Sequence, residues 1–264
     1  MERKVFVDQI GNIVSIPHSP SRIVSLVPSQ TELLFDLGLD KEVAGITKFC
    51  VHPDALMAKK KKVGGTKNFW FDVIDQINPD LIIGNKEENY EEGIKQLQLK
   101  YPVWISDIIT LDDALDMITA VAEMTRKESE GLKIVSDIQS AFNSVVTTQK
   151  RRALYLIWHE PWMGVGGQTF IHSMLEKAGF INVLENCNRY PELTETHIQE
   201  LNPEVVLLSS EPFPFNEAHV AEMRNILSNA KIKLVDGEMF SWYGSRLIKA
   251  PAYFNGLFAS GYQI

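Results

Sequence analysis

The chain has 264 residues, of which 45% are hydrophobic and 23% charged, as is usual for a globular protein with a substantial core. Its formal net charge of −8 argues against nucleic acid as a partner, because phosphate binding requires a basic face. The sequence contains no run of about eighteen apolar residues, so we expect no insertion into a membrane.

The first hundred residues are predicted to alternate between strands and helices. Residues 1–21 have the pattern of a β-hairpin, and a strand follows at 22–27. A helix is predicted to start near Glu32, with Ser29 or Thr31 as its cap, and to end at Gly38. Further strands and helices follow in alternation, which indicates a parallel sheet.

A short pattern occurs twice, 124 residues apart. An amphipathic turn leads into Asn78-Pro79-Asp80 in one copy and into Asn202-Pro203-Glu204 in the other, and aliphatic residues follow. Proline disfavours helical geometry in the residue before it, so each helix should stop at the asparagine. The aliphatic runs are typical of strands buried on both faces of a parallel sheet. Two copies predict two similar lobes with a ligand cleft between them.

Residues 111–147 contain no proline and a single glycine, Gly131, and their apolar residues recur at helical spacing. We predict either one helix of roughly 50 Å or two helices broken at Gly131. The predicted organisation is an N-terminal α/β lobe at 1–108, a connecting helix at 109–149 and a C-terminal α/β lobe at 150–264. The fold class is therefore α/β, with two Rossmann-like lobes that contain parallel sheets and are joined by a long α-helix.

Ligands of open parallel sheets bind at the edge where the carboxyl ends of the strands lie, here called the carboxyl edge. The loops predicted at this edge combine aromatic residues with a few Lys, His and acidic residues, a mixture that suits a flat, partly apolar ligand. Among the residues of these loops are Cys50, His52, His159, Trp162 and Glu211.

Cys50, His52 and His159 are the best candidates for metal ligands, because thiolate and imidazole bind zinc, copper and iron. Each also has a structural interpretation, as a buried thiol or a turn residue. The sequence has no nucleophile elbow, zinc-protease motif, Walker loop or dinucleotide fingerprint, so we expect no enzymatic activity and no required cofactor.

Residues 22–38, Val43-Ala-Gly-Ile-Thr, Val63-Gly-Gly, both Asn-Pro-acid units and the central helix occur in a familiar order. Together they resemble the helical-backbone (class III) periplasmic substrate-binding proteins of ABC importers, and the cobalamin-binding subgroup most. The resemblance runs from Arg22 through essentially the whole remaining chain. It implies a ligand such as cobalamin, an iron-siderophore or haem, held between the lobes.

The resemblance also implies which residues contact the ligand, and most of them belong to the loops at the carboxyl edge. They are Pro28, Ser29, Gln30, Lys48, Phe49, Thr66, Lys67, Asn68, Trp158, Tyr190, Trp242 and Arg246. Family members usually present one acid per lobe to the permease. Asp72 fits this position in the first lobe, whereas the matching position of the second lobe holds Thr196, with Glu195 one residue earlier.

We therefore expect a monomeric binding protein that captures a corrinoid or iron chelate for an ABC permease. The first residues show no signal-peptide pattern. The protein is periplasmic or lipid-anchored if a signal was removed, and cytoplasmic if Met1 is the native start. Two alternatives remain: a cytoplasmic sensor or carrier on the same fold, and a metal-dependent enzyme that uses Cys50, His52 and His159.

Overall fold

The computed structural model describes residues 3–146 and 150–259, which divide into two compact units. The first unit comprises Met1–Ile108, Asp112–Ile138 and Tyr243–Arg246. The second comprises Ile109–Leu111, Gln139–Trp242 and Leu247–Ile264. Within the described residues, no helix is both long enough and apolar enough to cross a lipid bilayer.

The first half of the chain alternates between short strands and helices. The strands are β1 (Arg3–Val7), β2 (Ile13–Pro17), β3 (Ile23–Ser25), β4 (Val43–Ile46), β5 (Lys61–Lys62), β6 (Leu81–Asn85) and β7 (Val103–Ser106). The helices are α1 (Pro28–Asp36), α2 (Asp54–Met57), α3 (Phe71–Ile77), α4 (Glu91–Gln98), α5 (Leu111–Thr125) and α6 (Glu128–Phe142). Strands β1 and β2 form the predicted hairpin, and the other five form a wholly parallel sheet in the order β5-β4-β3-β6-β7.

The second half repeats this alternation with a mixed sheet. Its strands are β8 (Arg151–Trp158), β9 (Trp162–Gly164), β10 (Phe180–Asn182), β11 (Glu192–Leu193), β12 (Val205–Ser209) and β13 (Lys231–Val235). Its helices are α7 (Phe170–Lys177), α8 (Glu195–Leu201), α9 (Glu217–Ile226), α10 (Glu238–Ser241), a 3-10 helix (Ser245–Ile248) and α11 (Ala250–Ala259). Strands β10, β8, β12 and β13 pair in parallel, whereas β9 and β11 add antiparallel pairs.

The two Asn-Pro-acid units fold as the sequence predicts. Helices α3 and α8 end at Asn78 and Asn202, which both adopt the left-handed conformation, with φ of 49° and 43°. The aliphatic runs that follow become β6 and β12, and every residue of these strands is buried. Ile82 of β6 and Val206 and Leu208 of β12 belong to hydrophobic clusters in the cores of their units, as expected for strands covered on both faces.

The acid after each proline holds the start of the neighbouring strand. The carboxylate of Asp80 accepts a hydrogen bond of 2.8 Å from the backbone N–H of Arg22, just before β3. The carboxylate of Glu204 accepts the equivalent bond of 2.9 Å from the N–H of Arg152 in β8. Each arginine side chain in turn donates to a backbone carbonyl shortly before the acid, Arg22 to that of Asn78 and Arg152 to that of Leu201. We call this pair of hydrogen bonds, one from the arginine N–H to the acid and one from the arginine side chain to a carbonyl shortly before the acid, the acid clamp.

Helix α1 begins four residues earlier than the sequence predicted. Pro28 is its first residue, and Val27 is the N-cap, so neither Ser29 nor Thr31 caps the helix. The hydroxyl of Thr31 instead donates to the carbonyl of Val27 at 2.8 Å. Proline suits the first helical position because its φ is already helical and the missing N–H would have no helical partner there. The predicted end at Gly38 is confirmed, since the helix closes at Leu37 and Gly38 has a φ of +77°.

The predicted continuous central helix is wrong, and the break does not lie at Gly131. Helix α5 ends at Thr125, and Arg126 adopts a φ of +62°. The N–H of Arg126 bonds to the carbonyl of Glu123 and that of Lys127 to Ala122, which is the bonding pattern of a Schellman motif. Gly131 lies inside α6, where an added Cβ would come within 2.3 Å of the Cβ of Ala122. Its function is to let two helices approach closely.

Candidate ligand-binding site

Phe49 is the most exposed aromatic side chain at the carboxyl edge of the first unit, with 51% of its surface accessible. It follows β4, and its ring packs at the backbone of Gly65, where an added Cβ would lie 3.1 Å from it. The N–H of Lys48 donates to the carbonyl of Gly64 at 2.8 Å, which ties the loop after β4 to this turn. The amine of Lys48 lies 5.0 Å from the centre of the Phe49 ring. An apolar ring and a cation are thus presented together.

The first turn of α1 places Pro28 at the same edge, but its neighbours face inward. Ser29 and Gln30 are buried, and the amide of Gln30 donates to the hydroxyl of Ser106 at 2.6 Å. Ser106 ends β7, so this bond connects α1 to the far strand of the sheet. Gln30 therefore supports the first turn of α1 from below.

Thr66, Lys67 and Asn68 form a turn that is fastened to the loop after β6. The carbonyl of Thr66 accepts a bond of 3.0 Å from the side chain of the buried Asn89. The amine of Lys67 donates to the carbonyl of Glu87 at 2.6 Å. Asn68 is exposed and closes the turn through a bond of 2.8 Å from the N–H of Gly65 to its carbonyl. Lys67 thus has a partner within its own unit.

Cys50 and His52 lie in the first unit and His159 in the second, and metal binding by these three residues stays a prediction. Among residues 3–146 and 150–259, no group of three or more His, Cys, Asp or Glu side chains could hold a metal ion. Cys50 is buried, with its sulfur 3.1 Å from the hydroxyl of Thr31 and 3.3 Å from that of Thr47. Burial raises the pKa of the Cys50 thiol, and its hydrogen bonds with these threonines offset only part of the rise. A protonated thiol is a poor metal ligand.

In the second unit, Trp158 is the exposed aromatic residue at the carboxyl edge. It is the last residue of β8, 41% of its surface is accessible, and its ring meets that of Phe213 edge to face at 5.6 Å. Trp162, in contrast, is buried and stacks on Phe215 at 6.1 Å. Of these two predicted tryptophans, only Trp158 presents a large apolar surface to solvent.

His159 belongs to an aromatic cluster that the sequence did not predict. Its ring lies 4.4 Å from that of Trp162 and 5.1 Å from that of His219, and its Nε2 is 3.1 Å from the carboxylate of Glu222. Phe213 and Phe215 complete the cluster. The signal in the sequence was the aromatic segment Glu211-Pro-Phe-Pro-Phe. In the structure, a capping box between Asn216 and His219 fixes His219 in the first turn of α9.

Glu211 and Trp242 are brought together as a hydrogen-bonded pair. One oxygen of the Glu211 carboxylate accepts from the hydroxyl of Ser241 at 2.5 Å and from the indole N–H of Trp242 at 3.0 Å. Trp242 is only 7% accessible, so it presents little surface to a ligand. Burial raises the pKa of Glu211, and the Glu238 carboxylate adds to the rise.

The remaining predicted contacts differ in their surroundings. Tyr190 is half-buried, and the guanidinium of Arg189 lies 5.9 Å from its ring centre. Arg246 is 7% accessible, and its guanidinium makes two bonds to the carboxylate of Glu32, so its charge is already engaged inside the first unit. Asp72 and Glu195 are exposed in the first turns of α3 and α8, where Asp72 is the second residue of its helix and Glu195 the first. Ligand and permease contacts of these residues stay predictions.

A family model described as "Periplasmic binding protein" matches residues 23–233, which is most of the chain. The chain belongs to the periplasmic binding protein family. The predicted α/β fold class with parallel sheets and the predicted role of a substrate-binding protein are therefore confirmed. Membership indicates a function in ligand binding and a location outside the cytoplasm.

Relatives of this periplasmic binding protein extend over most of its length. It is 24% identical to the "Uncharacterized ABC transporter substrate-binding lipoprotein YvrC" of Bacillus subtilis, covering 93% of this chain and 82% of the relative. It is also 24% identical to a "Vitamin B12-binding protein" of Vibrio parahaemolyticus, covering 71% and 70%. Among solved structures, the periplasmic haem-binding protein HutB of Vibrio cholerae superposes with a TM-score of 0.78 at 21% identity, covering 92% of this chain and all of HutB.

Proposed function

We propose that this protein captures a cobalamin-like corrinoid and delivers it to the permease of an ABC importer. The observation that carries the proposal is the pair of exposed aromatic residues, Phe49 and Trp158, each at the carboxyl edge of its own unit. Corrinoids are large and flat with apolar faces, and aromatic rings bury such faces at little cost in conformational entropy. The vitamin B12-binding relative supports the choice of ligand.

Polar groups beside the aromatic rings would orient the ligand. Lys48 stands next to Phe49 and can bind the amide carbonyls or the phosphate that a cobalamin carries at its rim. This arrangement also suits other flat chelates with polar edges, such as haem, which HutB binds. Haem and ferric siderophores are therefore the competing ligands to be tested in parallel.

Docking on the permease would use Asp72 and Glu195, the exposed acids in the first turns of α3 and α8. Exposed charges of this kind set orientation and encounter rate more than affinity. The lipoprotein relative supports a membrane-associated importer, in which the binding protein works outside the cytoplasm.

The test is isothermal titration calorimetry of ligand-stripped protein with cyanocobalamin, haemin and a ferric hydroxamate. We expect one-to-one cobalamin binding with a Kd below about 1 µM, which corresponds to about −8 kcal/mol. Phe49→Ala and Trp158→Ala should each weaken binding about tenfold or more, because each removes a large ring from the contact.

Leu99→Ala is the matched control, since Leu99 is 86% exposed but lies just before β7, at the opposite edge of the sheet. It should leave the affinity unchanged. If haemin or the hydroxamate binds but cobalamin does not, the ligand is that chelate and not a corrinoid. If none of the three binds, the proposed capture of a flat chelate is wrong.

A further inference from the structure

Arg246 and Glu32 form a buried ion pair that joins residues 214 positions apart in the sequence. The Nε of Arg246 donates to one carboxylate oxygen of Glu32 at 2.9 Å, and its Nη2 donates to the other at 2.7 Å. The side chains of Arg246 and Glu32 are only 7% and 9% accessible. This fork-to-fork geometry fixes orientation as well as distance, because two parallel bonds allow only one relative position of the groups.

The pair attaches a returning segment of the chain to helix α1. Residues Tyr243–Arg246 belong to the first unit, although the residues on both sides of them belong to the second. At Gly244 the segment approaches α1 so closely that an added Cβ would lie 2.8 Å from the carbonyl oxygen of Ser29 and 3.5 Å from the Cβ of Leu33. Ser29, Glu32 and Leu33 are spaced three and four residues apart, so they share one face of the helix.

The first turn of α1 is thereby held from two directions. On one face Gln30 donates to Ser106 at 2.6 Å, and on another the returning segment packs against Ser29 and is fastened at Glu32. This matters because Val27, the N-cap, has no polar side chain with which to fix the turn locally. The position of Pro28 and Ser29 therefore depends on contacts from distant parts of the sequence.

We propose that Arg246 is a positioning residue for ligand binding: through Glu32 it fixes the first turn of α1, and it does not touch the ligand. This inference rests on the proposed function, in which that turn contributes to the binding surface. A buried ion pair is well suited to such a role, since it often adds more to the uniqueness of an arrangement than to stability. The same arginine was a natural candidate for a direct ligand contact when only the sequence was considered.

A double-mutant cycle on cyanocobalamin affinity separates the two roles. We expect Arg246→Gln and Glu32→Gln to weaken binding each by about tenfold, and the double variant to lose no more than either single variant, because both remove the same coupling. Arg246→Lys should recover part of the loss, since it keeps the charge but not the two-bond fork. If Glu32→Gln leaves the affinity unchanged while Arg246→Gln lowers it, Arg246 contacts the ligand and the proposal is wrong.

A second variant perturbs the same turn without removing any charge. Gly244→Ala pushes a methyl group toward the Ser29 carbonyl and should also weaken binding. Gly256→Ala is its matched control, because an added Cβ there meets nothing within 4 Å. Unchanged affinity in Gly244→Ala would contradict the proposed positioning.

Hydrogen exchange of the ligand-free protein tests the positioning independently of any ligand. Exchange at residues 28–33 should accelerate in Arg246→Gln and Glu32→Gln, while exchange in α7 of the second unit stays as in the wild type. If the wild type binds none of the ligands, the proposed function fails, and this measurement alone decides the positioning. Equal exchange at residues 28–33 in all variants would overturn it.

Discussion

The carboxyl group of Glu211 illustrates how one side chain can oppose folding while it organises its neighbours. It accepts hydrogen bonds from Ser241 and Trp242, yet burial raises its pKa above the usual 4.5, and the Glu238 carboxylate adds to the rise. The folded state therefore holds the Glu211 proton more tightly than the unfolded state. It follows that this group makes the free energy of unfolding fall as the pH rises from about 4.5 through the raised pKa.

We predict that Glu211→Gln becomes progressively more stable than the wild type as the pH increases from 4 to 7. Glutamine keeps an oxygen that can accept from Ser241 and Trp242 but carries no charge. Thermal melting at several pH values measures the effect. Glu200→Gln, a substitution at an exposed position on α8, serves as the control. The same dependence of Tm on pH in Glu211→Gln and in the wild type would refute the prediction.

The two cysteines should differ strongly in reactivity. Both are free thiols, but Cys50 is buried with a raised pKa, whereas Cys187 is only half-buried. Because the thiolate is the reactive form, we expect a thiol reagent at pH 8 to modify Cys187 in the native protein and Cys50 only after unfolding. Cys187→Ser should then show almost no native reactivity. Rapid modification of the Cys187→Ser protein would show that Cys50 is accessible.

For the candidate site residues, the sequence predicted which side chains lie at the strand ends better than which of them are exposed. Phe49 and Trp158 are exposed at the strand ends, where a simple rule for parallel sheets placed them. Trp242 and Arg246 follow the same rule but are buried against Glu211 and Glu32. Those partners lie 31 and 214 residues away, so no local pattern could have revealed them.

At the scale of helices and strands, prediction succeeded where one residue type dictates the backbone. The prolines of the two Asn-Pro-acid units end α3 and α8, and the aliphatic runs become fully buried strands. It failed where an ordinary residue adopts an unusual conformation. Arg126, with a φ of +62°, ends α5, and nothing in its residue type indicates a left-handed backbone.

Gly131 and Gly256 provide a matched pair of helical glycines. An alanine Cβ at 131 would lie 2.3 Å from the Cβ of Ala122, whereas one at 256 meets nothing within 4 Å. We expect Gly131→Ala to lower the free energy of unfolding by about 1–3 kcal/mol through overpacking between α5 and α6. Gly256→Ala should raise it by up to about 1 kcal/mol, since alanine is the better helix former.

Denaturant unfolding of both glycine variants gives the comparison. Opposite signs are expected. Stabilisation by Gly131→Ala would mean that α5 and α6 separate readily and that helix propensity dominates at this position.

For the whole molecule, ligand capture should appear as a gain in stability. Any ligand that binds only the folded chain adds about 2.7 kcal/mol at a concentration one hundred times its Kd. In a chain of this size, each kcal/mol of added stability raises the Tm by about 2–4 °C. We expect cyanocobalamin to raise the Tm accordingly, and Phe49→Ala and Trp158→Ala to reduce the shift at the same ligand concentration. An unshifted Tm at saturating cobalamin would contradict the proposed ligand.

The acid clamp occurs in both units, formed by Asp80 with Arg22 and by Glu204 with Arg152, and the two copies differ by one residue in the carbonyl that the arginine side chain contacts. One chain thus contains two copies of the acid clamp, which are always compared in the same solvent and at the same temperature and concentration. A substitution at Asp80 can be compared directly with its counterpart at Glu204, so the contribution of local context is separated from that of the hydrogen bonds themselves. Such internal duplication makes the protein a self-referenced system for measuring how a strand start is secured in a parallel sheet.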